Sequence, residues 1–250
     1  MNNMNNRIIE VFSGLGKAAP PLASGKKAII AFVTGGDPDI QTTENLVLSM
    51  AEAGADMIEI GIPFSDPVAE SIIMQADKRA LDGGCTVDKL FEMVTRLRDK
   101  TNMPFLFVTY ANPIYAYGKD KFMAKCQEVG VDGIVVSDAP FEEREEFASV
   151  CECYNICLIT TISPSPEERT EKIVSDAKGF LNCIPSLSST GCDIAELITQ
   201  VKNACEIPCV VGVSAPEQVR DMAAISDGVV VSSAVVQLVA EFGKDSVVPV

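Results

Sequence analysis

Histidine is absent from this chain of 250 residues. That omission removes Ser-His and Cys-His nucleophile schemes and leaves carboxylates, Tyr, Lys and Cys as acid–base candidates. It also thins the choice of metal ligands. Nine cysteines are present, with Cys151 and Cys153 in a Cys-x-Cys pair, but a zinc site would have to gather thiolates from separated segments. Basic residues are scarce as well: 20 Lys and Arg stand against 35 Asp and Glu, a formal charge of −15. A binder of nucleic acid needs a clustered basic surface, so that class is excluded, and anionic membranes are disfavoured on the same ground. No stretch reaches the about 18 consecutive apolar residues of a membrane-spanning helix. Met1–Arg7 is polar and lacks the apolar centre of a secretory signal. An odd number of cysteines without a signal fits reduced thiols in the cytoplasm rather than a disulfide framework.

What is present is a single large apolar budget, 47% hydrophobic residues with no charge block or low-complexity tract, enough for one domain with a full core over residues 1–250. Short β-rich runs alternate with longer amphipathic stretches. The runs predict strands at Ala28–Thr34, Met57–Gly61, Phe105–Tyr110, Gly133–Ser137, Cys157–Thr161, Gly179–Ile184, Cys209–Val213 and Gly228–Ser232. Helical patterns cover Thr43–Ala53, Val87–Lys100, Asp120–Val129, Phe141–Tyr154, Glu167–Ala177, Ile194–Ala204, Pro216–Ala224 and Ala234–Phe242. Strands that are near-continuous Val/Ile/Leu/Phe are covered on both faces. Eight such units with no linker between them point to one (β/α)8 barrel. A doubly wound open sheet is the alternative, although no Gly-x-Gly-x-x-Gly turn follows any strand. Thr86 and Pro216 suit helix starts. The chain stops at Val250, which leaves little sequence for a last barrel-closing helix.

One carboxylate stands out. Glu59 sits inside the apolar run Ala55 to Pro67, at a predicted strand. Burial there is costly unless the group is paired or neutral, and it raises a carboxyl pKa toward the range useful for proton transfer. The structural alternative is a carboxylate hydrogen-bonded to a neighbouring strand or helix end. In a barrel the active site lies at the C-terminal strand ends. That gathers Gly35 to Pro38, Glu59 with Asp66 and Glu70, Tyr110 with Asn112, Asp138, Thr161, Ser186 to Gly191, Gly212 to Ser214, and Ser232 with Ser233. Ser232-Ser233 before a helix, with Gly212, suits phosphate in kind; ordinary caps and turns use the same residues.

Ile58-Glu59-Ile60-Gly61-Ile62-Pro63-Phe64-Ser65-Asp66-Pro67 closely resembles the signature of the tryptophan synthase α chain family. The agreement continues through Phe32 to Pro38, Thr109-Tyr110-Ala111-Asn112-Pro113, Gly130-Val131-Asp132-Gly133 and Pro216-Glu217-Gln218. The resemblance implies a (β/α)8 barrel that cleaves indole-3-glycerol phosphate to indole and glyceraldehyde 3-phosphate by a retro-aldol reaction. It implies Glu59 as the main acid–base residue and Glu70 as the second carboxylate, with Gly191, Gly212 and Ser233 at the phosphate. Tyr110 would be a pocket wall, with core packing as the equal alternative. No metal or organic cofactor is implied. The implied partner is a pyridoxal-phosphate β chain, met through the Asn112-Pro113 segment and the Asp66 loop.

The sequence departs from the family pattern mainly at the barrel mouth. Ser71-Ile72-Ile73-Met74-Gln75 replaces Gly-Pro-x-Ile-Gln after Glu70, which is expected to displace that carboxylate. Asn182 replaces a pocket Tyr. The lid loop Leu187-Ser188-Ser189-Thr190-Gly191 is short and is expected to close poorly. A lone Gly212 replaces Gly-Phe-Gly, Ser232-Ser233 replaces Gly-Ser, and the family's last helix has no counterpart after Val250. These changes set an impaired lyase, or a silent barrel that binds or regulates a β chain, beside a working enzyme. Cys183 lies near the expected pocket, as a reactive thiol or an inert core one. Asp138 could serve a loop amide or the substrate.

Overall fold

The computed structural model describes residues 6–13, 27–185 and 194–247. A short helix α1 (Arg7–Ser13) is followed by β1 (Ala28–Thr34), α2 (Ile40–Glu52), β2 (Met57–Gly61), α3 (Ser71–Asp82), α4 (Val87–Arg98) and β3 (Phe105–Thr109). Next come α5 (Ala111–Tyr117), α6 (Lys119–Val129), β4 (Gly133–Val136), α7 (Glu145–Cys153), β5 (Cys157–Leu158), β6 (Thr160–Ile162), α8 (Glu167–Ser175) and β7 (Leu181–Cys183). The chain ends through α9 (Ile194–Ala204), β8 (Cys209–Val213), α10 (Val219–Ile225), β9 (Gly228–Val231) and α11 (Ser233–Phe242).

All strand pairs are parallel, in the order β5-β4-β3-β2-β1-β9-β8-β7-β6. The segments β5 and β6 are two halves of one strand. At Ile159 the chain leaves β4, to whose Ile134 carbonyl it donates at 2.9 Å, and takes up β7. The ring closes there, and the fold is the (β/α)8 barrel that the alternation predicts. No described helix is long and apolar enough to cross a membrane.

Alternation along each strand divides the core in two. Ala31, Val33, Ile58, Ile60, Phe105 and Phe107 pack outward against the helices. Ala28, Ile30, Phe32, Met57, Leu106, Val135, Cys157, Val210 and Val230 fill the barrel interior. Helix α1 seals the lower end: Ile8 and Val11 join the interior cluster, and the Phe12 ring lies 5.7 Å from that of Phe180. Thr86 caps α4 by accepting from the Lys89 amide, as its position before Val87 suggests.

Several elements differ from the sequence expectation. The predicted strand at Gly179 begins only at Leu181, because Gly179 adopts φ +71 and turns the chain first. The stretch after Glu70, expected as a reshaped loop, is helix α3. With neither Gly nor Pro to break it, Ser71 opens a helix whose Ile72, Ile73 and Ala76 pack onto the barrel interior. The spacing of Ile73, Ala76 and Ala80 was the available signal. Helices α1 and α5 were not foreseen either.

At the end of β1, Gly36 adopts φ +82, and a Cβ there would meet the Cys85 sulfur at 2.6 Å. Its amide donates to Thr43 Oγ1 at 2.9 Å, tying the loop to α2. Gly36→Ala is therefore expected to cost roughly 2–4 kcal/mol, from left-handed strain plus overpacking. Urea unfolding would read it, and a loss below about 1 kcal/mol would show that the loop yields freely.

Candidate active site

Glu59 occupies the centre of β2, where it is paired in register with Phe32 of β1 and Leu106 of β3. Its neighbours Ile58 and Ile60 face the helices, so the carboxyl faces the interior with Met57. It is 5% exposed, and its Oε1 has no hydrogen-bond partner among the described residues. Burial alone raises its pKa to about 7. A carboxyl tied structurally to a strand would show bonded oxygens and a low pKa, whereas burial raises the pKa of this one toward neutrality.

The segment after β2 is tethered at three points. The Ile62 amide donates to the Val108 carbonyl at 2.8 Å. The Phe64 amide donates to Asp77 Oδ2 at 3.4 Å, and the Tyr110 hydroxyl to the Val68 carbonyl at 3.3 Å. The Phe64 and Tyr110 rings lie 5.2 Å apart. Tyr110 is thus a buried residue immediately before α5 whose hydroxyl and ring hold this loop. Burial, with Asp77 nearby, raises its phenol pKa. Burial likewise raises Asp77 to about 6, despite the Phe64 amide. Asp66 is exposed and accepts from Ser65 Oγ at 2.6 Å. Asp138 accepts from the Ala111 amide at 2.8 Å, which is the loop-amide alternative.

Across the mouth, Glu70 stands immediately before α3. Its Oε2 accepts from Ser233 Oγ at 2.8 Å and its Oε1 from Ser214 Oγ at 3.3 Å. The second carboxylate and one of the expected phosphate ligands are therefore bonded to each other. Gly212 faces open space: a Cβ there would meet nothing within 4 Å. The amides of Ser214 and Ala215 both donate to Gln218 Oε1, at 3.0 and 3.2 Å. Ser214 belongs to the rim stretch Gly212 to Ser214, and its only mark in the sequence is that place after β8.

Asn182 is paired with Thr161 and Val210, between the outward-packed Leu181 and Cys183. Cys183 is fully buried against α8 and α9, away from the interior, and its thiol pKa is raised by the neighbouring Cys209 thiol and by burial. It is the inert core thiol. Gly191 and the loop Leu187–Gly191 lie outside the described residues. No group of three potential metal ligands occurs among the described residues.

A parallel barrel with an ionisable carboxyl buried in its interior at the middle of one strand, and polar groups around the C-terminal rim, belongs to the class of barrel proteins that place their chemistry toward that rim. Comparison with known proteins narrows the class. The model of the tryptophan synthase alpha chain family matches residues 19–248. The tryptophan synthase alpha chain of Caldanaerobacter subterraneus is 39% identical over 245 residues, covering 94% of this chain and 91% of that one. That of Alkaliphilus metalliredigens is 41% identical over 221 residues, with 85% and 83% covered. Among solved structures, a chain of the tryptophan synthase α2β2 complex from Pyrococcus furiosus aligns with a TM-score of 0.82 at 34% identity, covering 88% of this chain and 92% of its own. The chain belongs to the tryptophan synthase alpha chain family, and with it to a lyase family of tryptophan biosynthesis.

Proposed function

We propose that this chain, as a single barrel domain, cleaves indole-3-glycerol phosphate to indole and glyceraldehyde 3-phosphate, with Glu59 as the acid. The observation that carries this reading is the buried Glu59 carboxyl with its free Oε1 and its pKa near 7. Protonated, it gives its proton to C3 of the indole. The bond from C3 to the glycerol carbon then breaks, and its electron pair returns to the ring. The adjacent hydroxyl loses its proton to a carboxylate as its oxygen becomes the carbonyl of the aldehyde. One proton has moved from oxygen to C3, and no redox partner is needed. Glu70 is the carboxylate available for the hydroxyl proton, its environment being exposed where that of Glu59 is buried. Tyr110 would bound the indole, with Gly191, Gly212 and Ser233 around the phosphate.

The test is indole formation from indole-3-glycerol phosphate by the full chain, alone and with a β chain. Turnover is expected in both conditions. None in either, from folded protein, would overturn the lyase reading and leave the alternative of a silent barrel with a binding role.

The partner in this reading is a β chain, as the α2β2 assembly of the Pyrococcus relative suggests. On the side toward Asn112-Pro113 and the Asp66 loop, Val68 is 84% exposed and Tyr115 48% exposed. Exposed apolar groups of this kind suit an interface centre. Val68→Asp is expected to weaken the complex at least about tenfold, since a truncated and charged hot spot costs on the order of 2 kcal/mol or more. Gel filtration at micromolar concentration reads it, and an unchanged complex would remove this face from the interface.

A further inference from the structure

The substrate's anion site, as placed by the reading above, already has an occupant. The Glu70 carboxylate takes hydrogen bonds from Ser233 Oγ at 2.8 Å and Ser214 Oγ at 3.3 Å. Ser233 opens α11, a helix of 10 residues whose first-turn amides favour negative charge. Two residues before Ser214, a Cβ on Gly212 would meet nothing within 4 Å. The contacts span 163 and 144 residues of sequence, so the arrangement is tertiary and not a local turn. Helix α3 sets it up: by starting at Ser71 and packing Ile72 and Ile73 on the interior, it aims Glu70 across the mouth toward β8 and β9.

We propose that Glu70 is an internal stand-in for the substrate phosphate, so that phosphate entry expels it and delivers it to the reacting hydroxyl. The carboxylate and a phosphate would compete for the same pair of serine hydroxyls, and two like charges drawn to one helix N-terminus repel each other. Seated Glu70 keeps the site closed to phosphate, and seated phosphate frees the second carboxylate for catalysis. The device rests on the lyase reading for the identity of the anion, and it ties binding of the non-reacting end of the substrate to assembly of the reacting end. Free inorganic phosphate should bind weakly in consequence, because only the fraction of molecules with Glu70 displaced is competent.

Phosphate titration of the full chain by calorimetry tests this, with wild type, Glu70→Ala, Glu70→Asp and Ser233→Ala compared and folding checked by circular dichroism. Removing the carboxylate in Glu70→Ala is expected to tighten phosphate about fivefold or more, the factor set by how rarely the wild-type site is vacant. The shorter side chain of Glu70→Asp is expected to tighten it less while keeping the charge. Ser233→Ala is expected to weaken phosphate in any background. If Glu70→Ala binds phosphate no better than wild type while Ser233→Ala still binds it worse, the phosphate site stands and the stand-in role falls. If no variant binds phosphate, or Ser233→Ala has no effect, the anion site itself is misplaced and the proposal falls with it. Indole formation, measured separately, decides the lyase reading independently of either result.

Discussion

Glu59→Gln is expected to lower indole formation by about a thousandfold, in the range of a lost general acid, and to make the protein more stable at alkaline pH. Both effects come from the same burial. The carboxyl is buried and burial is what raises its pKa, with no described cation offsetting it, so the folded protein holds the proton until about pH 7, whereas the unfolded chain releases it near 4.5. A group whose pKa is raised on folding contributes its stability fully below the unfolded value and loses it as pH rises through the folded one. Between those values the native state binds the proton that the unfolded state has given up, so stability falls with rising pH. The span from 4.5 to about 7 corresponds to about 3 kcal/mol. Gln is neutral throughout and is spared this loss. At pH 8 the variant should therefore unfold at higher urea, by up to about 3 kcal/mol, and the gap should close near pH 4. Wild-type turnover should decline as pH rises past about 7, where the acid form is lost. A variant no more stable than wild type at pH 8 would mean that Glu59 is ionised and paired in the native protein, and the acid role would go with it.

The same residue shows how much of the molecule was legible beforehand. Apolar runs of four to seven residues between turn residues identify the strands, because in a parallel sheet both faces are buried and the signal is composition rather than periodicity. A charge inside such a run is conspicuous, which is why Glu59 could be read from the sequence. Glu70 could be aligned with a family position, but its partners could not be inferred. Ser214 and Ser233 are ordinary turn and cap residues, and they meet Glu70 only because the barrel closes. The start of α3 at Ser71 is hard to read for a related reason: the missing Gly and Pro remove a constraint without naming the helix that their absence permits. Cys183 was legible in principle. Asn182 falls at a pocket position, and strand alternation then turns Cys183 outward.

At the opposite end of the barrel, Asp132→Ala is expected to cost about 3–5 kcal/mol without touching the chemistry. Asp132 lies just before β4, and its carboxylate accepts from Arg7 at 2.7 Å, from Arg98 at 2.7 Å and from the Phe105 amide at 2.9 Å. Its carbonyl accepts from Asn6 at 2.7 Å. One side chain thus joins α4, the start of β3 and the plug helix α1. Arg98 is the critical partner. Its side chain is only 12% exposed and lies 4.1 Å over the Phe105 ring, and burial lowers its pKa to about 10. Removing the carboxylate leaves that cation without a counter-charge, held only by the Gly130, Thr101 and Met103 carbonyls, and the Phe105 amide unpaired; a broken buried pair of this kind costs about 3–5 kcal/mol. For a chain of this size the melting temperature should drop by roughly 10 °C. The exposed pair of Lys78 and Asp82 offers the contrast: both side chains are about two-thirds or more exposed, and breaking it should cost no more than about 0.5 kcal/mol. Substituting Met for Arg98 in the Asp132→Ala background should recover part of the loss, since the uncompensated charge is then gone. Below its melting temperature the single variant should turn over like wild type, because the lower rim serves stability and the upper rim chemistry. A loss under about 1 kcal/mol, or no recovery in the double variant, would show that Arg98 finds another counter-charge, and the lower rim would then be held by packing of Ile8, Val11 and Phe12 alone.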